Sequence, residues 1–537
     1  MYSKWRSWSG KKKTLGIVNL TEEDILLSHK LSALTTLHAL SWKDLAQSEY
    51  KAICFDHANR SKDIIYLSAD SSWKELAYTT FSPDGNVYLS TNLASARTWE
   101  LDLTRAHRPE TWRGKCAWEG LELSNTATGM PPFRFYRFKV NRTHHRLVIL
   151  PYRNLASFLS DIPSSMPLSN LVLPGTHDTL AFYGYPVSQC QSPTTPFAVQ
   201  LQSGVRVFDL RFSIIDGALI AYHGASPQFT PYLTVLRILT DFLRSDAGRS
   251  ETVICSIKQE DGAQGRFQLF SHLVRAGIHS PEVRDIWFLE NRVPTLGEVR
   301  GKAILLSRFG DDGEGWDNGT EGMGIHPYTW PNSEKDGFSW VLKDTVVRTQ
   351  DWYAIPTFLS IPEKFDRAVR LLEPPSNQLV DRELPGPPTV LGGLSRISTT
   401  SSESSSAPDP KYGPSPEKPA HELPHNLSIT FFSAATFPLA LPQTVALGFG
   451  WPQWNLGVEG VNARFGRWLL EKMAGDNVFP MNSGQPRAGQ TDSEKRLSGW
   501  TLLDFYEWPL LEAGIVPLLV ELNFIGRKWA TGGGRIS

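Results

Sequence analysis

From about residue 165 the chain alternates short apolar runs of strand character with amphipathic runs of helical spacing, and this alternation narrows its possible folds more than any other feature. The strand-like runs are "NLVLPG" (170–175), "GVRVFDLRF" (204–212), "GALIAYHG" (217–224), "ETVICSIKQE" (251–260), "GKAILLSRFG" (301–310), "DTVVRTQDWY" (344–353), "LSITFFSA" (427–434) and "GIVPLLVELNF" (514–524). Between them lie "PYLTVLRILTDFLRSD" (231–246), "RFQLFSHLVRAG" (266–277) and "GVNARFGRWLLEKMAG" (460–475). In the first of these Leu233, Leu236, Ile238, Leu239, Phe242 and Leu243 recur at helical spacing. Parallel strands need crossover helices, so the pattern predicts an α/β fold: a TIM-type (β/α) barrel, closed or distorted, over residues 160–537.

Residues 15–155 follow a different grammar. Short runs such as "KDIIYLSAD", "GNVYLSTN", "TWELDLT", "FRFYRFKVN" and "RLVILPY" are separated by turn signals, with Asp84-Gly85 marking a hairpin. An all-β accessory domain is expected there, after a basic tail over residues 1–14. Residues 373–426 are rich in Pro, Ser and Gly with few large apolar side chains; such a segment cannot offset its ordering entropy and reads as a disordered surface insertion within the barrel.

With 54 Lys+Arg against 55 Asp+Glu in 537 residues, the chain lacks the cationic surplus of a general nucleic-acid binder. Cys54, Cys116, Cys190 and Cys255 are too far apart for a metal knuckle and too few for a disulfide framework, so reduced thiols are expected. The basic start is followed by no apolar signal core, and the longest apolar stretch, residues 437–451, is short for a membrane span and holds two prolines. A cytoplasmic location with transient membrane contact is the expectation, secretion remaining open should the start codon be misassigned.

Polar residues gather where the strands end. The first run stops at His177-Asp178; the second carries Asp209 and Arg211 on one face; the third ends at His223. Lys258 closes the next, with Glu260 on the same face, then Arg308, then Asp351 with Tyr353 two positions on. In a parallel barrel the carboxyl ends of the strands form one mouth. Cations crowded there with two histidines suit an anion, and a phosphate ester above all: Arg offers a rigid fork of donors, and His can serve as acid or base near neutral pH.

In this order, "LVLPGTHDT", "VFDLRF", "YHG", "ETVICSIKQE", "LLSRF" and "VVRTQDWY" resemble the X-type domain of the bacterial-like phosphatidylinositol-specific phospholipases C, over residues 160–360 and more loosely "LLVELNFIGRKW" (518–529). The resemblance implies cleavage of phosphatidylinositol, or a related glycolipid, to diacylglycerol and inositol 1,2-cyclic phosphate. It implies His177 as general base, His223 as general acid helped by Asp178, Arg211 as phosphate clamp organised by Asp209, and an inositol pocket of Lys258, Arg308, Asp351 and Tyr353. Arg211 stands where metal-dependent relatives place calcium, so no metal and no other cofactor is expected. In the family a carboxylate on the last strand pairs with the base; Asn523 falls at the matching place, with Glu521 as a substitute two residues back. Two further readings stand beside phosphatidylinositol cleavage: a phosphodiesterase of another lipid headgroup, since the His/Arg set is generic, and a catalytically weak lipid- or phosphate-binding barrel, which Asn523 favours. The 18 tryptophans, several at residues 448–457 and 499–514, suit either interfacial contact or plain core packing.

Overall fold

The structure is a computed structural model that describes residues 14–21, 25–29, 64–67, 79–80, 86–90, 98–102, 118–121, 133–141, 144–260, 265–374, 425–451, 456–474, 496–508 and 514–526. The expected barrel is present in distorted form. Parallel ladders join Lys302–Arg308, Thr252–Gln259, Val207–Ile215, Val172–Thr176, Gly499–Leu503, His425–Phe431 and Thr345–Gln350 in that lateral order. Short strands extend the two edges, Trp287–Phe288 in parallel and Phe338–Leu342 antiparallel. Among the described residues no ladder joins these edges, so the barrel is open on one side.

The expected helices form as Tyr232–Arg244, Phe267–Ile278 and Val461–Ala474. Leu236, Leu239, Phe242 and Leu243 are buried as their spacing predicts, whereas Leu233 stays 67% exposed. Among the described residues no helix is long and apolar enough to cross a membrane. The described cysteines, Cys190 and Cys255, are unpaired and buried.

Two strand expectations need correction. Ala218–His223 is not a barrel strand: it runs antiparallel to Val207–Ile215, joined through Asp216 (φ 48°) and Gly217 (φ 77°). Positive φ at both central residues is the geometry Asp-Gly favours in two-residue hairpins, so the long second strand folds back and returns His223 to the mouth. The second correction concerns "GIVPLLVELNF", which is the helix Ile515–Glu521, buried throughout. A continuous apolar run does not distinguish a buried strand from a buried helix, and Pro517 falls in the first turn, where its missing N–H costs nothing. The last barrel strand is instead Gly499–Leu503, five buried residues pairing Val172–Thr176 on one side and His425–Phe431 on the other.

Ahead of the barrel the described strands form two sheets. One has the order Thr79–Thr80, Thr14–Asn19, His144–Pro151, Phe133–Lys139, Trp118–Leu121; the other Ile64–Leu67, Ile25–His29, Asn86–Ser90, Thr98–Asp102. Asp84-Gly85, residues 1–13 and residues 375–424 of the Pro/Ser-rich segment lie outside the described residues. The first sheet packs on the barrel helix Val461–Ala474: the Trp118 indole N–H donates to the Ala463 carbonyl at 2.8 Å, and the ring lies close against Gly466. Tyr136, Phe138, Val148 and Leu150 join the same buried core as the barrel. A methyl group on Gly466 would fall inside van der Waals distance of the Trp118 ring. Gly466→Ala is expected to destabilise the protein by about 1–3 kcal/mol, read as a lowered midpoint in thermal denaturation followed by tryptophan fluorescence.

Candidate active site

Strand register builds the site. Arg211 pairs laterally with Lys258, and Lys258 with Arg308, so three cations stand in one row across three neighbouring strands. Adjacent strands lie about 4.8 Å apart, and like charges so placed repel. Asp209 answers them from the same face, two residues before Arg211. Its Oδ2 accepts from Arg211 Nη2 at 2.9 Å and Nε at 3.1 Å, its Oδ1 from Arg308 Nη1 at 3.3 Å. Burial opposes the charge on Asp209, but Arg211 and Arg308 outweigh it and hold the carboxyl well below the usual range. Among the described residues Lys258 has no such partner within salt-bridge distance. The Arg211 charge, burial and the Arg308 charge together pull its amine down to about 8.

His177 and Asp178 follow the strand Val172–Thr176, tied in place by backbone bonds from His177 N–H to the Leu503 carbonyl at 3.0 Å and from Asp178 N–H to Asp209 Oδ2 at 3.2 Å. His177 Nδ1 lies 2.8 Å from Asp504 Oδ1, and His177 Nε2 lies 2.9 Å from Arg211 Nη2. A guanidinium only donates, so Nε2 accepts and the ring proton sits on Nδ1, donated to Asp504. Burial and the adjacent Arg211 push the imidazole well below its ordinary pKa, leaving a neutral ring with its Nε2 lone pair toward the cleft.

Asp178 Oδ2 is the meeting point. It lies 3.1 Å from Arg211 Nη1, 3.3 Å from His177 Nε2 and 3.5 Å from His223 Nε2. His223 is oriented from behind: its Nδ1–H donates to the Ser188 carbonyl at 2.7 Å, which turns Nε2 inward. Glu260 fixes the turn after it by accepting the Gly224 N–H at 2.7 Å. On the far side Arg308 stacks on Trp330, 4.0 Å from the ring centroid, and reaches to 3.7 Å from Asp351 Oδ2, which accepts the Trp330 indole N–H at 2.9 Å. Tyr353 donates its hydroxyl to Asn332 Oδ1.

These groups surround a cleft of about 690 Å³. His177, Arg211, His223, Lys258, Arg308, Asp351 and Tyr353 line it, while Asp178 and Asp209 sit just behind its wall. The structure therefore gathers the nine expected site residues at one mouth. The expected partner of His177 is corrected. Asn523 instead brackets the backbone of Val172, at the opposite end of the strand that leads to His177, with both bonds at 2.9 Å. Glu521 pairs with Arg153 at 3.0 Å. The carboxylate on the last strand is Asp504, directly after Gly499–Leu503, its backbone held by Asn462 Nδ2, which donates to the carbonyls of Asp504 at 2.9 Å and Phe505 at 3.0 Å. "GWTLLD" carries the same signature as the other strands, an apolar run ending in a charge, and could have been read. Trp330 and Asn332 arrive from a loop and leave no such signature.

Among the described residues, His177, Asp178 and Cys190 bring three potential metal-ligand atoms within 4.8 Å of one another. Arg211 donates to His177 Nε2 and forms an ion pair with Asp178 Oδ2, so two of the three already face a guanidinium and the donor set does not fit a cation.

No family model matches the chain. Over 161 residues it is 31% identical to the 1-phosphatidylinositol phosphodiesterase of Listeria monocytogenes, covering 28% of this chain and 48% of that protein. It is 26% identical over 161 residues to the protein of the same name from Staphylococcus aureus strain Newman, covering 29% and 51%. The chain thus spans about half the length of the curated relatives it matches. The resemblance read from the motifs is borne out by these relatives. Among solved structures, the phosphatidylinositol-specific phospholipase C from Listeria monocytogenes aligns with 69% of this chain and 99% of its own at 18% identity and a TM-score of 0.42. A variant of the Staphylococcus aureus enzyme aligns with 69% and 98% at 16% identity and 0.45.

The geometry predicts that His177 stays uncharged through the range in which a free imidazole titrates. Its ring resonances, followed by NMR against pH, should not move near the ordinary value; titration there would contradict the Arg211–His177–Asp504 arrangement.

Proposed function

We propose that the chain is a phosphodiesterase that cleaves phosphatidylinositol, or a related inositol glycolipid, to diacylglycerol and inositol 1,2-cyclic phosphate. The observation that carries this reading is the convergence of two imidazoles on Asp178 Oδ2 beside the Arg211 guanidinium. The similarity to proteins named 1-phosphatidylinositol phosphodiesterase supports the substrate class.

The chemistry follows from the protonation states. Neutral His177 takes the proton of the inositol 2-hydroxyl at Nε2, and the freed oxygen attacks phosphorus. Asp504, hydrogen-bonded to Nδ1, offsets the charge of the imidazolium that forms. Negative charge accumulating on the phosphate oxygens is met by Arg211, with Lys258 beside it, both already in place. His223 delivers its Nε2 proton to the glycerol oxygen as the bond from phosphorus to that oxygen breaks. The proton lost to His177 and the one given by His223 balance, and proton exchange with solvent returns both rings to their starting states before the next turnover. Arg308, Asp351 and Tyr353 offer donors and acceptors for the remaining ring hydroxyls. A guanidinium performs the electrostatic task that a bound cation would otherwise supply, so the reaction is written without a metal.

The reading also requires access to a bilayer. Tyr183, Tyr185, Phe229 and Leu233 are exposed, Tyr185 68% and Phe229 67%, and Tyr183 meets Phe229 edge to face at 5.7 Å between centroids. Tyr183 is tied to the proposed acid: it exchanges backbone–side-chain bonds with Gln228 at 2.8 and 3.1 Å, and its loop supplies the Ser188 carbonyl to His223. Phe437, 69% exposed, lines the cleft itself. Exposed apolar side chains of this kind suit the headgroup interface.

Purified protein should hydrolyse phosphatidylinositol vesicles equally with and without chelator, and His177→Ala should lower kcat by about 10²–10⁴-fold. Retained activity in His177→Ala removes the base assignment. Burial raises Asp178 to about 6 against the pull of Arg211 and His223, so kcat/KM should fall as the pH drops through that value and the carboxylate is neutralised. Tyr185→Ser with Phe229→Ser should weaken sedimentation with vesicles while leaving turnover of a short-chain monomeric substrate intact.

A further inference from the structure

The parallel ladder between Val172–Thr176 and Gly499–Leu503 stops just where the base and its carboxylate begin. Its last rung is the bond from the His177 N–H to the Leu503 carbonyl at 3.0 Å. A parallel ladder continues with the Phe505 N–H donating to the His177 carbonyl. Here that rung is replaced. The Phe505 N–H donates to the Cys190 carbonyl at 2.8 Å, and the His177 carbonyl accepts from Gln191 Nε2 at 2.8 Å. Gln191 Nε2 donates as well to the Leu503 carbonyl at 2.9 Å. Cys190-Gln191 therefore bridges the two strands at the point where they part, and each strand turns away through a left-handed residue, Asp178 at φ 41° and Phe505 at φ 47°. His177 and Asp504 flank the bridge, one on each strand, with Nδ1 and Oδ1 2.8 Å apart.

The side chain is committed to this task. Two carbonyls can be faced only by the nitrogen of a carboxamide, so its orientation is fixed by its partners. Gln191 has no solvent exposure and stands outside the cleft lining. Its Oε1 is buried without a hydrogen-bond partner among the described residues, an unfavourable state tolerated for what the nitrogen does. The backbone beneath it is immobilised too: the N–H groups of Cys190 and Gln191 both donate to the Ala181 carbonyl at 2.9 Å. We propose that Gln191 is a positioning residue for the base. Its carboxamide stands in for the missing rung, sets His177 opposite Asp504 and so keeps Nε2 aimed into the cleft. It touches neither the imidazole nor the substrate and acts through the two backbone carbonyls. The segment that carries it also supplies the Ser188 carbonyl to His223, so the spacing of the two imidazoles is set from one short stretch of chain.

The inference rests on the phosphodiesterase reading, and the test separates the two. Gln191→Met keeps the length of the side chain and removes both donors. With a short-chain monomeric phosphatidylinositol, kcat should fall by about 10–100-fold while KM stays within about twofold, because Gln191 touches no substrate. In an Asp504→Asn background the same substitution should cost little more, since the pair it registers is already broken. A loss that adds in full to that of Asp504→Asn overturns the proposal. Without substrate, the His177 Nδ1 proton shared with Asp504 should give a downfield NMR signal that is displaced or lost in Gln191→Met. A folded Gln191→Met variant with that signal unchanged also overturns the proposal. An inactive unmodified protein would sink the phosphodiesterase reading and leave the NMR signal to judge Gln191. Should Gln191→Met not fold, hydrogen exchange in the unmodified chain decides. Gln191 side-chain amide protons that exchange together with the His177 Nδ1 proton uphold the proposal, and amide protons that exchange ahead of it overturn it.

Discussion

Three cations in lateral register on neighbouring parallel strands are the constraint around which the barrel mouth is organised. At about 5 Å and an effective dielectric near 20, each adjacent pair of unit charges repels by roughly 3 kcal/mol. Asp209 bonds both arginines, Asp178 and Glu260 share Arg211, and Asp351 approaches Arg308. Lys258, in the middle of the row, meets Arg211 and Arg308 with only part of that repulsion offset by Glu260 and Asp209. Under the proposed reading, a phosphate diester seated against Arg211 and Lys258 would relieve it.

The two imidazoles at the mouth are set apart by their surroundings. His177 faces a guanidinium on one nitrogen and a carboxylate on the other, which fixes a neutral ring with an inward lone pair. His223 is tethered by a backbone carbonyl and turns its Nε2 toward a carboxylate. What stands behind each imidazole is the basis of the proposed division between base and acid. Both supports come from segments remote in sequence: the Ser188 loop for one, and the turn after the last strand for the other.

Most of this mouth was legible because apolar periodicity locates strands, and a charge immediately after an apolar run marks a strand end. His177, Lys258, Arg308 and Asp351 follow that rule, while Arg211 stands inside its strand, Val207–Ile215. Where a segment broke the rule's assumptions the reading failed for identifiable reasons. Ala218–His223 has strand character, but Asp216-Gly217 turns it back as a hairpin. The short strand Gly499–Leu503 was hidden by the longer apolar run of residues 514–524, which is a buried helix, and with it Asp504 was displaced onto Asn523. Trp330 and Asn332 belong to a loop that crosses the open side of the barrel, and no periodicity anticipates a loop's landing place.

The helix Val461–Ala474 has two clients. Trp118 of the accessory sheet grips it at Ala463, and one residue earlier Asn462 grips the backbone beneath Asp504. Three contacts therefore lead from the N-terminal strands to the His177 imidazole. The accessory sheet is in that sense part of the footing on which that ring's orientation rests.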